Sequence, residues 1–374
     1  MRALHVVTLH TPDNAFGGPM TVAANLCGEL RRRGDEAVLL TMGRGFGRSL
    51  PDSVQGVPAI VPPGYRIAPQ LGMSGILSPG ALRRAVRLVR QADVVHVHLA
   101  RDLLTAPVAA LALQAGTPLV LQTHGMVDAS DKRLAGVLDA LMVRRVLRGA
   151  EALLYLTELE RTQLLEVLGD PAPQTLSRLV NGVAPADRRP LPEGPPVVSY
   201  IARFQQRKRP GDLVRAFGAV LAARPDARLV LAGPDEGELR ATLDLVSTLG
   251  LQDDVEYVGA LDHHGVLDLL RRSSAYVLPA VDEPFPMSVL EALSVGVPTV
   301  VTTSNGLAGD IGQAGAGRVV AGPDELGRAV LSLLDPSANE AASTAAHELS
   351  VRSFSLSAVT DTLRDVYGRV VAIG

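Results

Sequence analysis

Two glutamates in the second half of the chain, Glu283 and Glu291, are separated by seven residues and follow an apolar run. Between them, Pro284 disfavours a helical conformation at the preceding residue, and Pro286 suits the first position of a helix. Unpaired backbone amides at such a helix start would bind an anion such as a diphosphate. The amides concerned are those of Met287, Ser288 and Val289. Carboxylates beside an anion need neutral partners with several donors, which predicts bound sugar hydroxyls. A solvated helix start is the alternative.

A cluster of cations precedes a second predicted helix start, at Pro210. Within it, Arg203 and Lys208 follow a predicted strand and would lie over the same ligand. Because a departing diphosphate gains negative charge, fixed cations stabilise the transition state of its departure more than the ground state. The alternative is a basic surface loop, which is disfavoured because cations next to a helix N-terminus oppose the helix dipole.

The first half of the chain supplies weaker signals at the ends of predicted strands. Gly17 and Gly18 follow the first strand, where glycines permit a close approach of the backbone to a ligand. His124 ends another strand, and a hydrogen-bonding role is favoured there because no cysteine or carboxylate lies at metal-site spacing. His96 and His98 share one face of a strand, and packing or loop contacts are favoured over a metal pair.

Short apolar runs alternate with longer amphipathic segments along almost the whole chain, which is typical of parallel sheets covered by helices on both faces. The predicted strands lie at residues 3–9, 37–41, 94–98, 119–123, 152–156, 178–181, 197–202, 228–232, 255–258, 275–278 and 299–302. The predicted helices include one after Gly18 and those at residues 80–91, 102–115, 129–147 and 355–371. The predicted fold class is therefore α/β, with doubly wound sheets.

Residues 184–196 contain five prolines and one glycine, a composition that forbids both a helix and a central strand. We therefore predict a first domain at residues 1–184, a linker at 185–196, a second domain at 197–354 and a closing helical segment at 355–374. Two such domains would hold a ligand in a cleft between the carboxyl ends of their sheets.

Composition excludes several classes of protein. The chain has 36 Lys and Arg residues against 39 Asp and Glu residues, and the net charge of −3 provides no general attraction to nucleic acid. The single cysteine, Cys27, cannot form an internal disulfide and has helical spacing from apolar residues, which predicts a buried thiol in a reducing cytoplasm. No apolar run reaches the roughly 18 residues that span a bilayer. Nothing in the sequence indicates an oligomeric state.

The predicted helix at residues 80–91 carries a row of arginines along one side. They are Arg83, Arg84, Arg87 and Arg90. A peripheral contact with the inner face of an anionic membrane is one interpretation of this row. A solvated helix face is favoured, because no tryptophan or phenylalanine accompanies the arginines as an anchor.

The glutamate pair, the two cations, the Gly17-Gly18 loop and the segment Asn181-Gly182-Val183 together resemble the family 4 retaining glycosyltransferases of the GT-B fold. The resemblance covers nearly the full chain and includes the strand at residues 93–98, the turn at residues 231–234 and the closing helix. It implies two Rossmann-like domains facing across a cleft, with the C-terminal helix crossing back to the first domain. Departures from the usual pattern occur at Ala184, Ala202 and Pro286.

The same resemblance implies transfer of a sugar, with retention of configuration, from a nucleotide-diphosphate sugar to an acceptor hydroxyl. No metal or other cofactor is implied. The first domain would bind the acceptor, which could be a glycan, a lipid-linked molecule or a small natural product, and the second would bind the donor. A UDP-sugar is the favoured donor, and GDP- and ADP-sugars stay open.

Individual roles are also implied by the resemblance. Arg203 and Lys208 would bind the diphosphate, Glu291 the ribose and Glu283 the transferred sugar. The full set of implied donor-binding residues is Gly18, Arg203, Lys208, Gly233, Pro234, Val258, Glu283, Phe285, Pro286, Met287, Ser288 and Glu291. The implied catalytic residues are His124, Arg203, Lys208 and Glu283, and the implied acceptor-binding residues are Gly17 and His124.

Two other functions stay open at this point. One is a nucleotide-sugar epimerase or a phosphorylase on the same scaffold, although phosphorylases of this architecture are usually longer or need a pyridoxal lysine. Lys132 and Lys208 are the only lysines in the chain. The other is a non-catalytic regulator that binds a nucleotide sugar. A front-face displacement, in which the departing phosphate helps to deprotonate the acceptor, would need no protein nucleophile, and none is evident in the sequence.

Overall fold

In the computed structural model, the chain divides into two units, and each contains its own largely parallel sheet. The structure describes residues 1–12, 17–47, 49–126, 143–169 and 175–373. Unit 1 comprises Met1–Gly182 and Leu356–Gly374, and unit 2 comprises Val183–Ser355.

The elements of the described residues are numbered here along the chain. The strands are β1 (Arg2–His10), β2 (Glu36–Gly43), β3 (Ser53–Val54), β4 (Val57–Ile60), β5 (Tyr65–Arg66), β6 (Ile76–Leu77), β7 (Val94–His98), β8 (Leu119–Gln122), β9 (Ala152–Tyr155), β10 (Leu176–Arg178), β11 (Val197–Ile201), β12 (Arg228–Ala232), β13 (Val255–Tyr257), β14 (Ala275–Leu278), β15 (Thr299–Thr302) and β16 (Gly317–Val320). The α-helices are α1 (Gly17–Arg32), α2 (Pro79–Gln91), α3 (Thr105–Ala115), α4 (Arg144–Gly149), α5 (Glu158–Leu168), α6 (Pro210–Ala223), α7 (Leu239–Thr248), α8 (His263–Arg272), α9 (Met287–Ser294), α10 (Ala308–Ala314), α11 (Leu326–Leu334), α12 (Pro336–Leu349) and α13 (Leu356–Ile373). Shorter helical turns lie at Pro69–Gly75, Gln206–Lys208, Pro323–Glu325 and Ser350–Phe354.

Unit 1 is built on an eight-stranded sheet in the order β10-β9-β8-β7-β1-β2-β4-β3, in which only the pairing of β3 is antiparallel. Successive residues of β1 point to opposite faces, so Val6 packs into one apolar core and Val7 into another. Residues of α2, α3, α4 and α5 contribute to the first core, and residues of α1 and α13 contribute to the second. Helices on both faces confirm the doubly wound class predicted for this half.

The last helix, α13, belongs to unit 1 although it follows unit 2 in the sequence. Leu363 is buried in the core that also contains α1. Arg33 donates to the carboxylate of Asp361, and the side chains of Arg364 and Asp35 approach to 3.1 Å. The predicted return of the closing helix to the first domain is therefore confirmed.

Unit 2 has a six-stranded parallel sheet in the order β13-β12-β11-β14-β15-β16. The strand order reverses between β11 and β14, so the loops that follow these two strands diverge from each other at the carboxyl edge of the sheet. Ligands of open α/β sheets bind at such a switch point. The two loops are those at residues 202–209 and 279–286, where the sequence concentrates cations and carboxylates.

The proline-rich residues 185–196 belong to unit 2 and do not form a separate linker. The Arg189 amide donates to the Val295 carbonyl at 2.9 Å, and the side chains of Arg188 and Glu340 approach to 3.1 Å. Proline prevents helix and sheet formation but leaves an extended chain free to pack along a surface. The proline content therefore predicted that this segment has no helix or strand. It did not predict that the segment packs against the rest of unit 2.

Several boundaries differ from the predicted ones for local reasons. The helix predicted at residues 102–115 begins at Thr105, because the Asp102 carboxylate accepts hydrogen bonds from the amides of Leu104 and Thr105. The strand predicted at residues 178–181 lies earlier, at Leu176–Arg178. Most of the helix predicted at residues 129–147 lies outside the described residues, as does Lys132.

Two further sequence predictions concern surfaces. Cys27 is buried, as predicted. The four arginines of α2 are exposed, whereas Ala81, Ala85 and Val89 of the same helix are buried. Within the described ranges, we find no helix with the length and apolar character needed to cross a bilayer. A membrane contact of α2 stays a prediction.

Candidate functional site

The loop after β11 brings Lys208 into the interior of unit 2. A single helical turn, Gln206–Lys208, ends at Arg209, which has a left-handed backbone with φ of 49°, and Pro210 then begins α6. This reversal leaves Lys208 only 8% exposed. Its Nζ donates to Oε2 of Glu283 at 2.6 Å. Burial lowers the pKa of Lys208, and the adjacent Glu283 carboxylate opposes that shift.

Glu283 is held at the same place by its backbone. Its carbonyl accepts from the amide of Gly306 at 2.8 Å, so the loop is fixed next to β15. The preceding residue, Asp282, has a φ of 49° and donates its amide to the hydroxyl of Ser304. Arg207 also approaches the Glu283 carboxylate, at 3.3 Å. A buried acidic group is thus balanced by two cations, although 75 residues separate Glu283 from Lys208.

Helix α9 begins one residue later than predicted, at Met287. Pro286 has an extended backbone, with ψ of 114°, and occupies the flanking position rather than the first helical one. Its carbonyl accepts from the amide of Val289, so that amide is not available to a ligand, contrary to expectation. The backbone amides of Met287 and Ser288 precede the first hydrogen bond within the helix. They are therefore the N–H groups that this helix start can offer to a ligand. Phe285 packs edge-on against Phe354.

Tyr276 on β14 connects the end of β11 with the first turn of α9. Its hydroxyl donates to the carbonyl of Ile201 at 3.0 Å and lies 2.7 Å from the hydroxyl of Ser288. Burial raises the pKa of Tyr276, and the charges of Glu291 and Glu283 raise it further. Both glutamates therefore lie near one buried hydroxyl at the carboxyl edge of the sheet.

Glu291 lies in the second turn of α9 and is mostly buried. Burial raises its pKa, and His263 opposes the shift from 3.3 Å away. His263 is exposed at the start of α8, and the sequence analysis did not connect it with Glu291. The two residues are on different helices, α8 and α9.

Arg203 lies at the surface and pairs with Glu236 at 3.0 Å. Its charge nevertheless lowers the pKa of Lys208, which places it within electrostatic range of the buried pair. The loop is tied to the turn after β12, because the Phe204 amide donates to the Pro234 carbonyl at 2.8 Å. The structure thus brings Arg203 and Pro234 to the same edge of unit 2 as Lys208.

Gly233 lies where the turn after β12 closely approaches the backbone of Ala202. Its φ is 138°, and an added Cβ would lie 1.9 Å from the carbonyl oxygen of Ala202. Its amide donates to Gly259, and its carbonyl accepts from the hydroxyl of Tyr257 at 2.9 Å. Val258, in the adjoining turn, is 36% exposed. The turn that contains the predicted donor-binding residues Gly233 and Pro234 therefore requires glycine at its first position.

Gly233→Ala is expected to destabilise unit 2 by about 1–3 kcal/mol, because the new methyl group overlaps backbone atoms that cannot rotate away. Urea unfolding followed by circular dichroism measures the change. Gly218→Ala on α6 is the matched control, since its Cβ would meet nothing within 4 Å. There alanine is expected to stabilise the helix by about 0.5–1 kcal/mol. Equal midpoints for Gly233→Ala and the unmodified protein would contradict the steric argument.

A separate cavity of about 990 Å³ lies between α6 and α7. It is lined by Arg207, Arg209 and Arg215 among others, but not by Lys208, Glu283 or Glu291. Arg209 and Arg215 pair with Asp212, which also lines the cavity, whereas Arg207 pairs with Glu283. None of the predicted donor residues is among the described residues that line this cavity.

In unit 1, Gly17 begins α1, and residues 13–16 of the same loop lie outside the described residues. An added Cβ at Gly18 would meet nothing within 4 Å, so this position is open and imposes no steric need for glycine. His124 follows β8 with a left-handed backbone, φ 50°. Burial lowers the pKa of His124 to about 3, so its imidazole is neutral near pH 7.

Glu160 fixes the loop that carries His124, and sequence reasoning missed it. Its carboxylate accepts from the Thr123 hydroxyl, the Gly125 amide and, at 2.6 Å, the Leu156 amide. Glu160 is 3% exposed although it lies on a helix, α5. A glutamate beginning an amphipathic helix usually favours the dipole from the surface, so the sequence contained no signal for this role.

His5, His96 and His98 lie behind His124, all fully buried, and their ring nitrogens come within 4.8 Å of one another. Hydrogen bonds engage both ring nitrogens of His5 and of His98. His96 uses Nδ1 for the Tyr367 hydroxyl. This pattern agrees with the packing interpretation of the His96 and His98 pair, and a metal is not needed to explain it.

Comparison with known proteins identifies the class. The family described as glycosyl transferases group 1 matches residues 186–348, and the glycosyl transferase 4-like domain matches residues 17–179. The chain is 30% identical over 296 residues to a glycogen synthase of Mycobacterium tuberculosis, across 74% of this chain and 68% of that protein. The chain therefore belongs to the group 1 glycosyltransferases, and it transfers glycosyl groups.

Other relatives are similar over nearly the full length. D-inositol 3-phosphate glycosyltransferase 2 of Catenulispora acidiphila is 28% identical over 368 residues, 89% of this chain and 86% of that protein. Anabaena HepE, solved in complex with UDP, aligns with a TM-score of 0.76 at 16% identity over 99% of this chain and 100% of that chain. A sucrose-phosphate synthase from Thermosynechococcus elongatus aligns with a TM-score of 0.73 at 18% identity over 100% of both chains. The predicted GT-B class is confirmed.

Proposed function

We propose that the protein is a metal-independent, retaining transferase that moves a sugar from a nucleotide-diphosphate sugar to an acceptor hydroxyl. The observation that carries this proposal is the buried contact of Lys208 with Glu283 beside the start of α9. A cation and free amides are suited to a diphosphate, and a carboxylate next to them is suited to sugar hydroxyls.

Each group has a defined task in the proposed donor complex. Lys208 and the amides of Met287 and Ser288 bind the diphosphate, while Arg203 exchanges Glu236 for a phosphate oxygen. Glu283 accepts hydrogen bonds from the transferred sugar, and Glu291 accepts them from the ribose. Because these cations are part of the protein, the departing negative charge is neutralised without a metal. The turn containing Gly233, Pro234 and Val258 borders the base.

The ion pairs of the Glu283 carboxylate support a mechanism that retains the configuration of the transferred sugar. This carboxylate is paired with Lys208 and Arg207, which makes it a weak nucleophile. In the proposed front-face displacement, the bond from the anomeric carbon to the phosphate oxygen breaks while the acceptor oxygen bonds to that carbon on the same face. The acceptor proton moves to the departing phosphate oxygen, so all atoms and charges balance. His124 contributes a ring nitrogen to substrate binding.

The acceptor is proposed to bind to unit 1, near Gly17 and His124. Unit 1 also contains a cavity of about 480 Å³, which is lined by Thr11, Arg44 and Arg66 together with apolar side chains such as Leu9 and Met73. None of the described residues that line it is acidic. Two arginines without a carboxylate in the same cavity favour an acceptor that carries a negative group.

A UDP-sugar is the proposed donor, because the full-length structural neighbour from Anabaena was solved with UDP. The test incubates the protein with UDP-, GDP- and ADP-sugars, with EDTA present, and follows nucleoside diphosphate release with neutral and phosphorylated acceptors. The expected result is acceptor-dependent release of UDP, with an anomeric proton coupling in the product that matches the donor. Donor binding without turnover would support the regulator, and a new nucleotide sugar without acceptor would support the epimerase.

A further inference from the structure

A continuous chain of hydrogen bonds connects the candidate residue His124 with the C-terminal helix. Nε2 of His124 lies 2.7 Å from Nδ1 of His98, and Nε2 of His98 lies 3.2 Å from Nδ1 of His5. Nε2 of His5 lies 3.0 Å from the Tyr367 hydroxyl, which is 2.7 Å from Nδ1 of His96. Every member except His124 is fully buried. The chain therefore runs from the loop after β8, through His98 and His5, to Tyr367 on α13, and His96 extends it beyond Tyr367.

Hydrogen bonds of this kind have a direction. Because the pKa values of all four imidazoles are lowered, each ring is neutral near pH 7 and carries one N–H and one acceptor nitrogen. If Tyr367 donates to His5, then His5 donates to His98, His98 donates to His124, and His124 carries its proton on Nδ1. If Tyr367 instead donates to His96, every bond reverses and Nδ1 of His124 becomes an acceptor. The Tyr367 hydroxyl therefore couples the tautomers of all four histidines.

The far end of the chain favours one direction. Nε2 of His96 is buried and has no partner at ordinary hydrogen-bonding geometry among the described residues, although the Gln122 side chain lies close enough to raise the pKa of His96 against the effect of burial. In the first direction this atom is an unpaired acceptor, and in the reverse direction it is an unpaired N–H donor. Buried donors without partners are rarer in proteins than buried acceptors without partners. The first direction is favoured, with Tyr367 donating to His5.

We propose that Tyr367 is a positioning residue that fixes His124 in the tautomer with an N–H at Nδ1, so that this nitrogen donates to substrate. The contact between His124 and substrate rests on the proposed function, whereas the tautomer of His124 does not. α13 is firmly placed for the task, because Leu363 and Val370 are buried and Arg33 contacts Asp361. The helix that closes the chain thereby supplies the hydroxyl that orients a residue of the candidate site.

The test uses the full chain labelled with 15N-histidine, with His124 assigned by comparison with His124→Gln. We expect a protonated Nδ1 and an unprotonated Nε2 for His124. Tyr367→Phe is expected to give averaged signals from both tautomers and to lower kcat about three- to tenfold, the loss of one hydrogen bond, with little change in the donor KM. The matched control is Val370→Ala on the same buried face, which is expected to lower Tm without moving the His124 signals.

Three results would overturn the proposal. The first is a wild-type His124 protonated at Nε2. The second is an unchanged His124 spectrum in Tyr367→Phe, and the third is stoichiometric binding of added Zn²⁺ by His5, His96 and His98. An absence of donor turnover in the unmodified protein would instead contradict the proposed function, and the spectra would still decide the tautomer.

Discussion

Lys208→Met is expected to lower kcat/KM for glycosyl transfer about 100- to 1000-fold, chiefly through kcat. Methionine retains most of the lysine stem but removes the charge that would neutralise the departing diphosphate. Because Lys208 is 8% exposed, water cannot easily replace it as a donor. Steady-state kinetics of donor turnover measure the loss. Turnover within about threefold of the unmodified enzyme would contradict the assignment of Lys208.

The same substitution is expected to destabilise unit 2, because among the described residues it leaves Arg207, at 3.3 Å, as the one cation paired with the Glu283 carboxylate. Breaking one partner of a buried ion pair costs about 3–5 kcal/mol. Glu283→Gln combined with Lys208→Met removes both charges and is expected to recover much of the stability without recovering turnover. The separation of these two readouts distinguishes catalysis from folding. Arg240→Met on the exposed surface of α7 is the control, with both quantities nearly unchanged.

Unit 1 is expected to lose stability steeply as the pH falls below about 6.5, where histidines of an unfolded chain begin to take up protons. Burial lowers the pKa of His5 and His124 to about 3 and lowers the pKa values of His96 and His98 well below the usual range. Between pH 6.5 and about 3, these histidines therefore bind more protons in the unfolded chain than in the folded one. The stabilisation is therefore complete above pH 6.5 and is lost as the pH falls toward 3.

Each such histidine contributes a slope of up to about 1.4 kcal/mol per pH unit. The raised pKa of the buried Asp102 acts in the opposite direction, because the folded chain holds that carboxyl proton more tightly than the unfolded chain does. Urea unfolding at a series of pH values between 7 and 5 measures the slope. His5→Gln should reduce the slope by the share of one histidine, and the exposed His264→Gln should leave it unchanged. A free energy of unfolding that is constant over this range would contradict the buried network.

The positions of most long strands in the two sheets could be predicted from the sequence, because buried parallel strands have a continuous apolar pattern. Strands β7, β12, β14 and β15 were predicted with the bounds that the structure gives. The short strands β3 to β6 were missed, because two to four residues contain no periodic signal. β16 was missed because glycine begins it and its arginine interrupts the apolar run.

The types of residue in the candidate site were easier to predict than their partners. Loop residues at the carboxyl ends of β11 and β14 follow from the strand pattern and from proline at the helix starts. The pairing of Lys208 with Glu283, of Glu291 with His263 and of His96 with Tyr367 depends on side chains that are distant in the sequence. Such contacts are determined by the packing of elements, which a single sequence does not specify.

A crystal structure of the protein with an unreactive UDP-sugar analogue tests the central claim most directly. We expect diphosphate oxygens within hydrogen-bonding distance of Lys208 Nζ and of the amides of Met287 and Ser288, with ribose hydroxyls on Glu291. A nucleotide bound instead in the cavity between α6 and α7, with Lys208 still paired only to Glu283, would contradict the account.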